Sequence, residues 1–542
     1  MLFFVSLSKA KAIMKSYYLI FLSLLLLGCK QKSLSFTSTP SPFFLLIKDF
    51  IITPDIDSIE VNSYNSPDLS AFYESRGYKK AWIEENIRKE IILVLEKVEE
   101  EGLNPADYDL DQLKKYETNF STLSDSEKNT YDIAFTHSLQ RYISHLSNGK
   151  LKPNVLYSDW EIKENKVDVN AIVMGLENGN SITEKLNSLK PTHLVYLRLK
   201  KALKIINSLN DDSFSPIVIK DKIIPKTTHP QIVEIKKKLL YWGDLKKKEK
   251  KTAISPVYDS ETVMAIKRFQ IRHGLTSDGV IGAGTVAALN FTKDERREQI
   301  IANLERWKWY PRNMGKEHII INIPDYQLYF IKEKDTLRTH KVVVGRPERP
   351  TPILSSLLTQ VIFNPTWTVP PTILKEDLIP DIKRNRYYLT KNKITIYDQA
   401  GNTISPRNWK SDNAFNYKYV QKPSRNNSLG VVKLNFSNRF SVYLHDTNHR
   451  ELFVLTRRSL SSGCVRLENP VALTQQILND TVKWNNEKID ALIETAKTTY
   501  VKIKNEVPIH LLYWTAWSNK NKLIFREDIY NRDKELYTML RN

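Results

Sequence analysis

From about Lys48 to Ile219 the apolar residues recur three and four positions apart. In "IRKEIILVLEKVEEEGLNPADY" they line one helical face, which Gly102 and the Asn104-Pro105 turn bring to an end. "NTYDIAFTHSLQRYISHLSNGK" repeats that logic and stops at Gly149. These patterns predict a helical scaffold over 48–222. A second helical block is predicted over 227–291, with Ile232, Ile235, Leu239 and Leu240 on one helix and Val263, Ile266 and Phe269 on the next. Gly243, Asp278-Gly279 and Gly282 supply its turns. "RREQIIANLERWKWYPR" predicts a connecting helix within a linker, 292–315. The period then falls to two. "HIIINIPDYQLYFIKE", "TLRTHKVVVGRP", "LTQVIFNPTW", "KITIYDQAG", "GVVKLNFSN" and "RFSVYLHD" read as short strands and predict a β-rich domain over 316–504. A Pro-rich, charged insertion, about 369–425, interrupts them in the position of a lid. Asn469 and Pro470 mark a helix start, with Asn469 as N-cap. The segment 505–542 returns with another apolar strand and is expected to pack on the scaffold or on the β-rich domain. The fold class read from this is α+β and multidomain.

The N-terminus changes the picture. "MKSYYLIFLSLLLLGC" has a basic start and an apolar run too short to span a bilayer, so it reads as an export signal. Leu26-Leu27-Gly28-Cys29 resembles the lipobox of bacterial lipoproteins. That resemblance implies a signal peptide over 1–28, lipidation at Cys29, a Ser/Thr/Pro-bearing tether over 29–47, and a periplasmic lipoprotein held to a bacterial membrane by its N-terminal lipid. Translation can start at Met1 or at Met14. The formal charge is +20, with 41% hydrophobic and 26% charged residues. Such a charge suits nucleic acid or an anionic envelope surface. Export removes nucleic acid from the partners, and solvated helix faces account for most of the charge.

The chain has two cysteines. With Cys29 lipidated, Cys464 has no intramolecular partner and is a lone thiol in an oxidising compartment, where oxidation threatens it. It either does chemistry or is buried and inert. Its surroundings favour chemistry. His445 stands at the end of an alternating strand, and 18 residues separate it from Cys464, enough for one strand and its return. A thiol nucleophile needs a base, and the base needs an acceptor that fixes its tautomer. Asp446 offers both a carboxylate and a backbone carbonyl. Ser461-Ser462-Gly463 forms a turn whose amides can face an oxyanion, and Gly463 lets the backbone come close. Arg466 can pair with a substrate carboxylate. His449 is a rival base, expected to face solvent. His137 and His145, without a third ligand, read as packing or surface residues. No metal cluster, phosphate loop or nucleotide motif is present, so neither cofactor nor metal is expected.

Two resemblances give this chemistry a context. Phe269, Gln270, His273, Gly274, Leu275, Asp278, Gly279, Ile281, Gly282 and Thr285 resemble the three-helix peptidoglycan-binding module. "HDT" followed by "SSGCVR" resembles the active-site signature of the L,D-transpeptidases with a YkuD-type catalytic domain. Ser462 stands where common members carry histidine. The larger class, with an N-terminal scaffold and a wall-binding module, matches further through "YESRGYKKAWIEE", "GRPERPTP", "FNPTWTVPPTI", "LGVVKLNF" and "LLYWTAW". The resemblance implies that Cys464 attacks a tetrapeptide stem to form a thioester, which the amine of a second stem resolves as a 3–3 crosslink. It also implies His445 as base, the backbone carbonyl of Asp446 as its partner, and the Gly463 and Cys464 amides, with Ser462, at the oxyanion. It further implies that Tyr443 and Trp367 line the cleft and that Arg346 and Arg466 meet stem carboxylates. The expected partners are peptidoglycan stem peptides and the membrane. Two other readings compete: a lipid-anchored wall-binding scaffold without activity, and a papain-like peptidase. The latter expects cysteine before histidine, the reverse of the order here.

Overall fold

The computed structural model describes residues 54–177, 181–246 and 254–542. The predicted export segment, Cys29 and the tether lie outside the described residues. Ile56–Asn542 forms one unit.

The first helices of this unit share one core. Val61, Leu69, Phe72, Leu95, Leu113, Phe135, Leu139 and Leu186 belong to it. Its longest helix, Asp125–Asn148, starts with a capping box in which the Ser124 and Glu127 side chains satisfy each other's backbone amides. Asp132 sits inside that core and is satisfied there by the Tyr73 hydroxyl at 2.6 Å and the Trp82 amide at 2.9 Å. His145 packs here too, its Nδ1 2.9 Å from the Tyr108 hydroxyl, and His137 lies edge-on to Tyr64. The scaffold core stops at Leu186. The next helix, Leu194–Asn207, turns Tyr196, Leu199, Ala202, Leu203 and Ile206 into a different core, that of the β domain.

The second helical block has helices Gln231–Tyr241, Ser260–Arg272 and Ala283–Asn290 around Ile232, Ile235, Leu239, Ile266, Phe269 and Leu289. Gln270 organises its turn. Its Nε2 donates to Asp278 Oδ1 (3.0 Å) and the Val280 carbonyl (2.9 Å), while its Oε1 accepts from the Gly279 amide (2.9 Å).

The segment expected to be a linker carries the helix Lys293–Trp309, which is buried on nearly every side. Its polar residues are matched by the C-terminal segment. Asn303 Nδ2 donates to Thr515 Oγ1 (2.8 Å), and Arg306 lies 2.8 Å from Asp533. This helix is a strut at the centre of the unit.

The strands, in chain order, are β1 (Trp160–Glu161), β2 (Glu317–Asn322), β3 (Gln327–Lys332), β4 (Asp335–Gly345), β5 (Ile353–Phe363), β6 (Trp367–Thr368), β7 (Ile394–Tyr397), β8 (Thr403–Ile404), β9 (Lys418–Gln421), β10 (Val432–Phe436), β11 (Leu444–His445), β12 (Ser459–Ser461), β13 (Val465–Leu467), β14 (Thr499–Leu512), β15 (Ala516–Asn519) and β16 (Lys522–Phe525). The main sheet runs β1-β5-β10-β11-β13-β4-β3-β2-β14, and β14 also pairs with β5, so the pairing closes on itself. β14 crosses the predicted boundary at residue 504 and is an integral strand of this sheet. Beyond it, the β15–β16 hairpin and the helix Asp533–Arg541 complete the chain.

The insertion has a sheet of its own, β6-β9-β7-β8, beginning at Trp367, just before the predicted start at 369. It also has its own core, including Val369, Leu374, Leu378, Ile382, Leu389, Ile396, Trp409 and Tyr419. Asn427 ties its two stems together, donating from Nδ2 to the carbonyls of Pro365, Gln421 and Lys422. The helix Pro470–Leu478 follows β13, but Asn469 has φ 52° and makes no side-chain cap bond. In that left-handed conformation it lies outside the extended region from which an N-cap side chain reaches the amides of the second and third helical residues.

Candidate active site

β11 and β13 bring the predicted residues together. They pair in parallel, Leu444 with Val465 and His445 with Arg466, so Tyr443 and Cys464 stand side by side at the ends of the two strands. The connection is not a hairpin. It passes through a 3₁₀ turn, Arg450–Val454, and strand β12, which pairs with β4. His449 stays on this connection, exposed, with Nδ1 3.0 Å from Glu451.

His445 is buried. Its Nδ1 lies 2.5 Å from the Asp446 backbone carbonyl. A carbonyl only accepts, so Nδ1 carries the proton and Nε2 presents a lone pair. Burial, with the positive charges of Arg466 and Lys433, lowers the imidazole pKa to about 3, so it is neutral at physiological pH. The Asp446 carboxylate points elsewhere. It accepts from the Val431 amide (3.0 Å) and pairs with Arg450 (3.0 Å).

Cys464 is a free cysteine, partly exposed. Burial of the sulfur raises its pKa, against the opposing pull of the Tyr443 amide and hydroxyl and of the Lys433 and Arg466 charges. Thiol and imidazole are therefore both neutral in the resting site.

The turn before the thiol is locked from beneath. Ser461 Oγ donates to the Cys464 carbonyl (2.6 Å) and accepts from the Gly463 amide (3.2 Å). Thr351 Oγ1 donates to the Gly463 carbonyl (2.8 Å) and accepts from the Gly345 amide (2.8 Å). The Gly463 amide is thus occupied, contrary to its expected place as an oxyanion donor. Among the described residues the amides of Ser462 and Cys464 have no such partner. Gly463 has φ 108°, a region that disfavours any side chain. Gly345 has no room for one, since a Cβ there would meet the Arg349 carbonyl at 2.2 Å.

The remaining expected residues divide. Arg466 is partly buried, and its guanidinium has no hydrogen bond or ion pair among the described residues. Tyr443 lies edge-on to His445 with ring centroids 5.6 Å apart. Its hydroxyl, pushed up by burial and by Cys464, is partly held down by the Trp367 indole of the insertion. Arg346 is turned to the insertion, 3.6 Å from Asp377. Ser462 Oγ accepts from Arg349 Nη1 at 2.9 Å.

Sequence reasoning missed Lys433, Arg349 and Thr351. Lys433 pairs with His445 across β10–β11, and its Nζ lies 3.8 Å from the Tyr443 ring centroid. Alternation along "VVKLNF" puts it on the His445 face, a signal legible once the strands are paired. Arg349 and Thr351 sit within "GRPERPTP", whose closeness to the cysteine turn arises from the β4–β12 pairing.

Three family models match the chain: "Scaffold domain" at residues 67–203, "Putative peptidoglycan binding domain" at 228–289 and "L,D-transpeptidase catalytic domain" at 316–497. A protein of Haemophilus influenzae named "Putative L,D-transpeptidase" is 35% identical over 221 residues, which is 40% of this chain and 45% of that protein. The match thus spans under half the length of that relative. Among solved structures, L,D-transpeptidase 1 of Mycobacterium tuberculosis is 15% identical over 36% of this chain and 61% of its own, with a TM-score of 0.17. The L,D-transpeptidase of Xylanimonas cellulosilytica is 14% identical over 54% of this chain and 99% of its own, with a TM-score of 0.19. The family models and the sequence identity, not these superpositions, carry the assignment. The domain that holds Cys464 and His445 matches the L,D-transpeptidase catalytic domain, and the chain joins it to segments that match a scaffold domain and a peptidoglycan-binding domain.

Proposed function

We propose that this chain is a peptidoglycan L,D-transpeptidase working through a cysteine thioester, exported and anchored by lipid on Cys29. The observation that carries the reading is a neutral His445, its Nδ1 proton fixed on the Asp446 carbonyl, on the strand beside the lone thiol of the L,D-transpeptidase domain.

The chemistry follows from the protonation states. His445 Nε2 takes the thiol proton as sulfur attacks the carbonyl of the third stem residue, so no resting thiolate is needed. Amides of Ser462 and Cys464 receive the oxyanion. The imidazolium that forms is stabilised by the Asp446 carbonyl. It returns its proton to the departing D-alanine amine, leaving the thioester. The amine of a second stem then attacks, passes its proton to His445 and forms the 3–3 bond, and the thiol is restored. Arg466 and Lys433 supply positive charge for the transient anion and for stem carboxylates. The wall-binding module holds the enzyme on peptidoglycan.

Intact mass after incubation with a carbapenem tests the reading. We expect one stable adduct on the wild type, none on Cys464→Ala, and acylation slowed about 10²- to 10⁴-fold in His445→Gln. A folded wild type that forms no adduct, and no dimer from stem peptides, would favour a wall-binding scaffold without activity.

A further inference from the structure

Charge ties the insertion to the body at its stem, where Arg425 pairs with Glu494 at 2.5 Å, and at a second place that abuts the cysteine turn. Its sheet is separate from the main sheet, and its core shares no residue with the body's. Arg349, on the loop between β4 and β5, reaches both sides. Its Nε donates to Glu376 Oε2 at 2.9 Å, with a second, shorter contact from Nη2, and its Nη1 donates to Asp377 Oδ2 at 2.7 Å. The same Nη1 donates to Ser462 Oγ at 2.9 Å. Glu376 and Asp377 lie in a π-helical turn, Leu374–Leu378, and Arg346 approaches Asp377 from the same loop. The Arg349 side chain is 9% exposed, against 50% for Glu376 and 39% for Asp377. The arginine is thus fixed in the body while its carboxylate partners reach down from the insertion.

We propose that Arg349 is a positioning residue that couples the insertion to the cysteine turn: one guanidinium latches Glu376 and Asp377 and, through Ser462, holds the backbone on which Cys464 stands. Its effect on catalysis rests on the function proposed above; the latch itself does not. Releasing the carboxylates frees the insertion but leaves the Arg349–Ser462 bond. Replacing the guanidinium loosens both, because an ammonium is a point charge and cannot hold the fork. Part-exposed carboxylates are also screened by salt.

The test compares the intact wild type with Glu376→Gln/Asp377→Asn, which keeps shape and removes charge, and with Arg349→Lys. Hydrogen exchange is read over 369–425 and over 461–464, beside carbapenem acylation at about 50 and about 500 mM NaCl. In the double variant we expect exchange over 369–425 to rise roughly tenfold, exchange over 461–464 to stay unchanged, and acylation to lose the salt dependence of the wild type. In Arg349→Lys we expect both segments to exchange faster and the limiting acylation rate to fall, where loss of the carboxylates changes its concentration dependence. Unchanged exchange over 369–425 in both variants overturns the latch. Faster exchange there with acylation rate, concentration dependence and salt response all as in wild type overturns the coupling. A wild type that never acylates refutes the proposed function instead, and the exchange data still judge the latch.

Discussion

At the scale of single residues, two groups set the proposed chemistry and their protonation makes a sharp prediction. His445 has a folded pKa of about 3, below the usual histidine value. It is therefore already a free base well below neutrality. We expect acylation by a carbapenem to show no break as the pH falls through about 6.5 and to decline only toward the lowered value. Rates by stopped flow between about pH 4.5 and 8 check this; a break at about 6.5 would mean a histidine titrating as in free solution. Stability carries the same sign. Between the unfolded pKa and about 3, the unfolded state takes up a proton that the native imidazole refuses, so stability falls as the pH drops through that window. His510, lowered to about 4 by burial, acts in the same direction. Each such histidine costs about 3–5 kcal/mol once the pH lies below its folded value. Asp446 shows the limit of reading residue types. The sequence offers a carboxylate next to the histidine. The fold uses the backbone carbonyl and engages the carboxylate with Val431 and Arg450.

At the scale of elements, the site depends on turns that admit no side chain. Gly430 has φ 60°, and a Cβ there would lie 2.3 Å from the Asp446 carboxylate. Gly430→Ala should therefore displace Asp446, and with it the carbonyl that holds His445. We expect a loss of about 2–4 kcal/mol in stability and acylation slowed more than tenfold, measured by thermal melts and intact mass. Acylation at the wild-type rate would show that the His445 tautomer is fixed elsewhere. Short strands explain why this arrangement was only half legible. The alternation in "RFSVYLHD" correctly placed His445 at a strand end, and the apolar runs located most of the strands. The parallel pairing of β11 with β13 was not legible, because partner choice depends on what lies between them, a 3₁₀ turn and β12 pairing with a distant strand. The loss of the Gly463 amide to Ser461 was hidden for the same reason.

At the scale of the whole molecule, the helix Lys293–Trp309 is the element most misread by pattern. Its charged residues look like those of a solvated connector. In the fold Arg306 is fully buried against Asp533, and Asn303 against Thr515. Arg306→Ala leaves Asp533 buried without its cation and should cost about 3–5 kcal/mol, seen as a lower denaturant midpoint. An unchanged midpoint would show that the C-terminal helix is not held through this pair. The peptidoglycan-binding module is docked through the same C-terminal segment: Arg272 donates to the Leu523 carbonyl at 3.2 Å, and His273 stacks near Phe525 with centroids 5.8 Å apart. His273, one of the residues that mark the module, thus serves its seating on the body.

The sequence by itself determined what local pattern can encode. Helical and alternating periods placed the scaffold, the three-helix module, the β domain and its insertion. The count of cysteines, read with the expected export signal, singled out Cys464, and spacing with a characteristic signature supplied His445. Only the tertiary structure decided which groups are engaged and which are free. Asp446's carboxylate, the Gly463 amide, the Arg349 fork and the charges of the central helix all find partners that local pattern does not reveal. A polar group's role depends on whether burial leaves it a partner or an unpaired lone pair, and that is fixed only when distant segments meet.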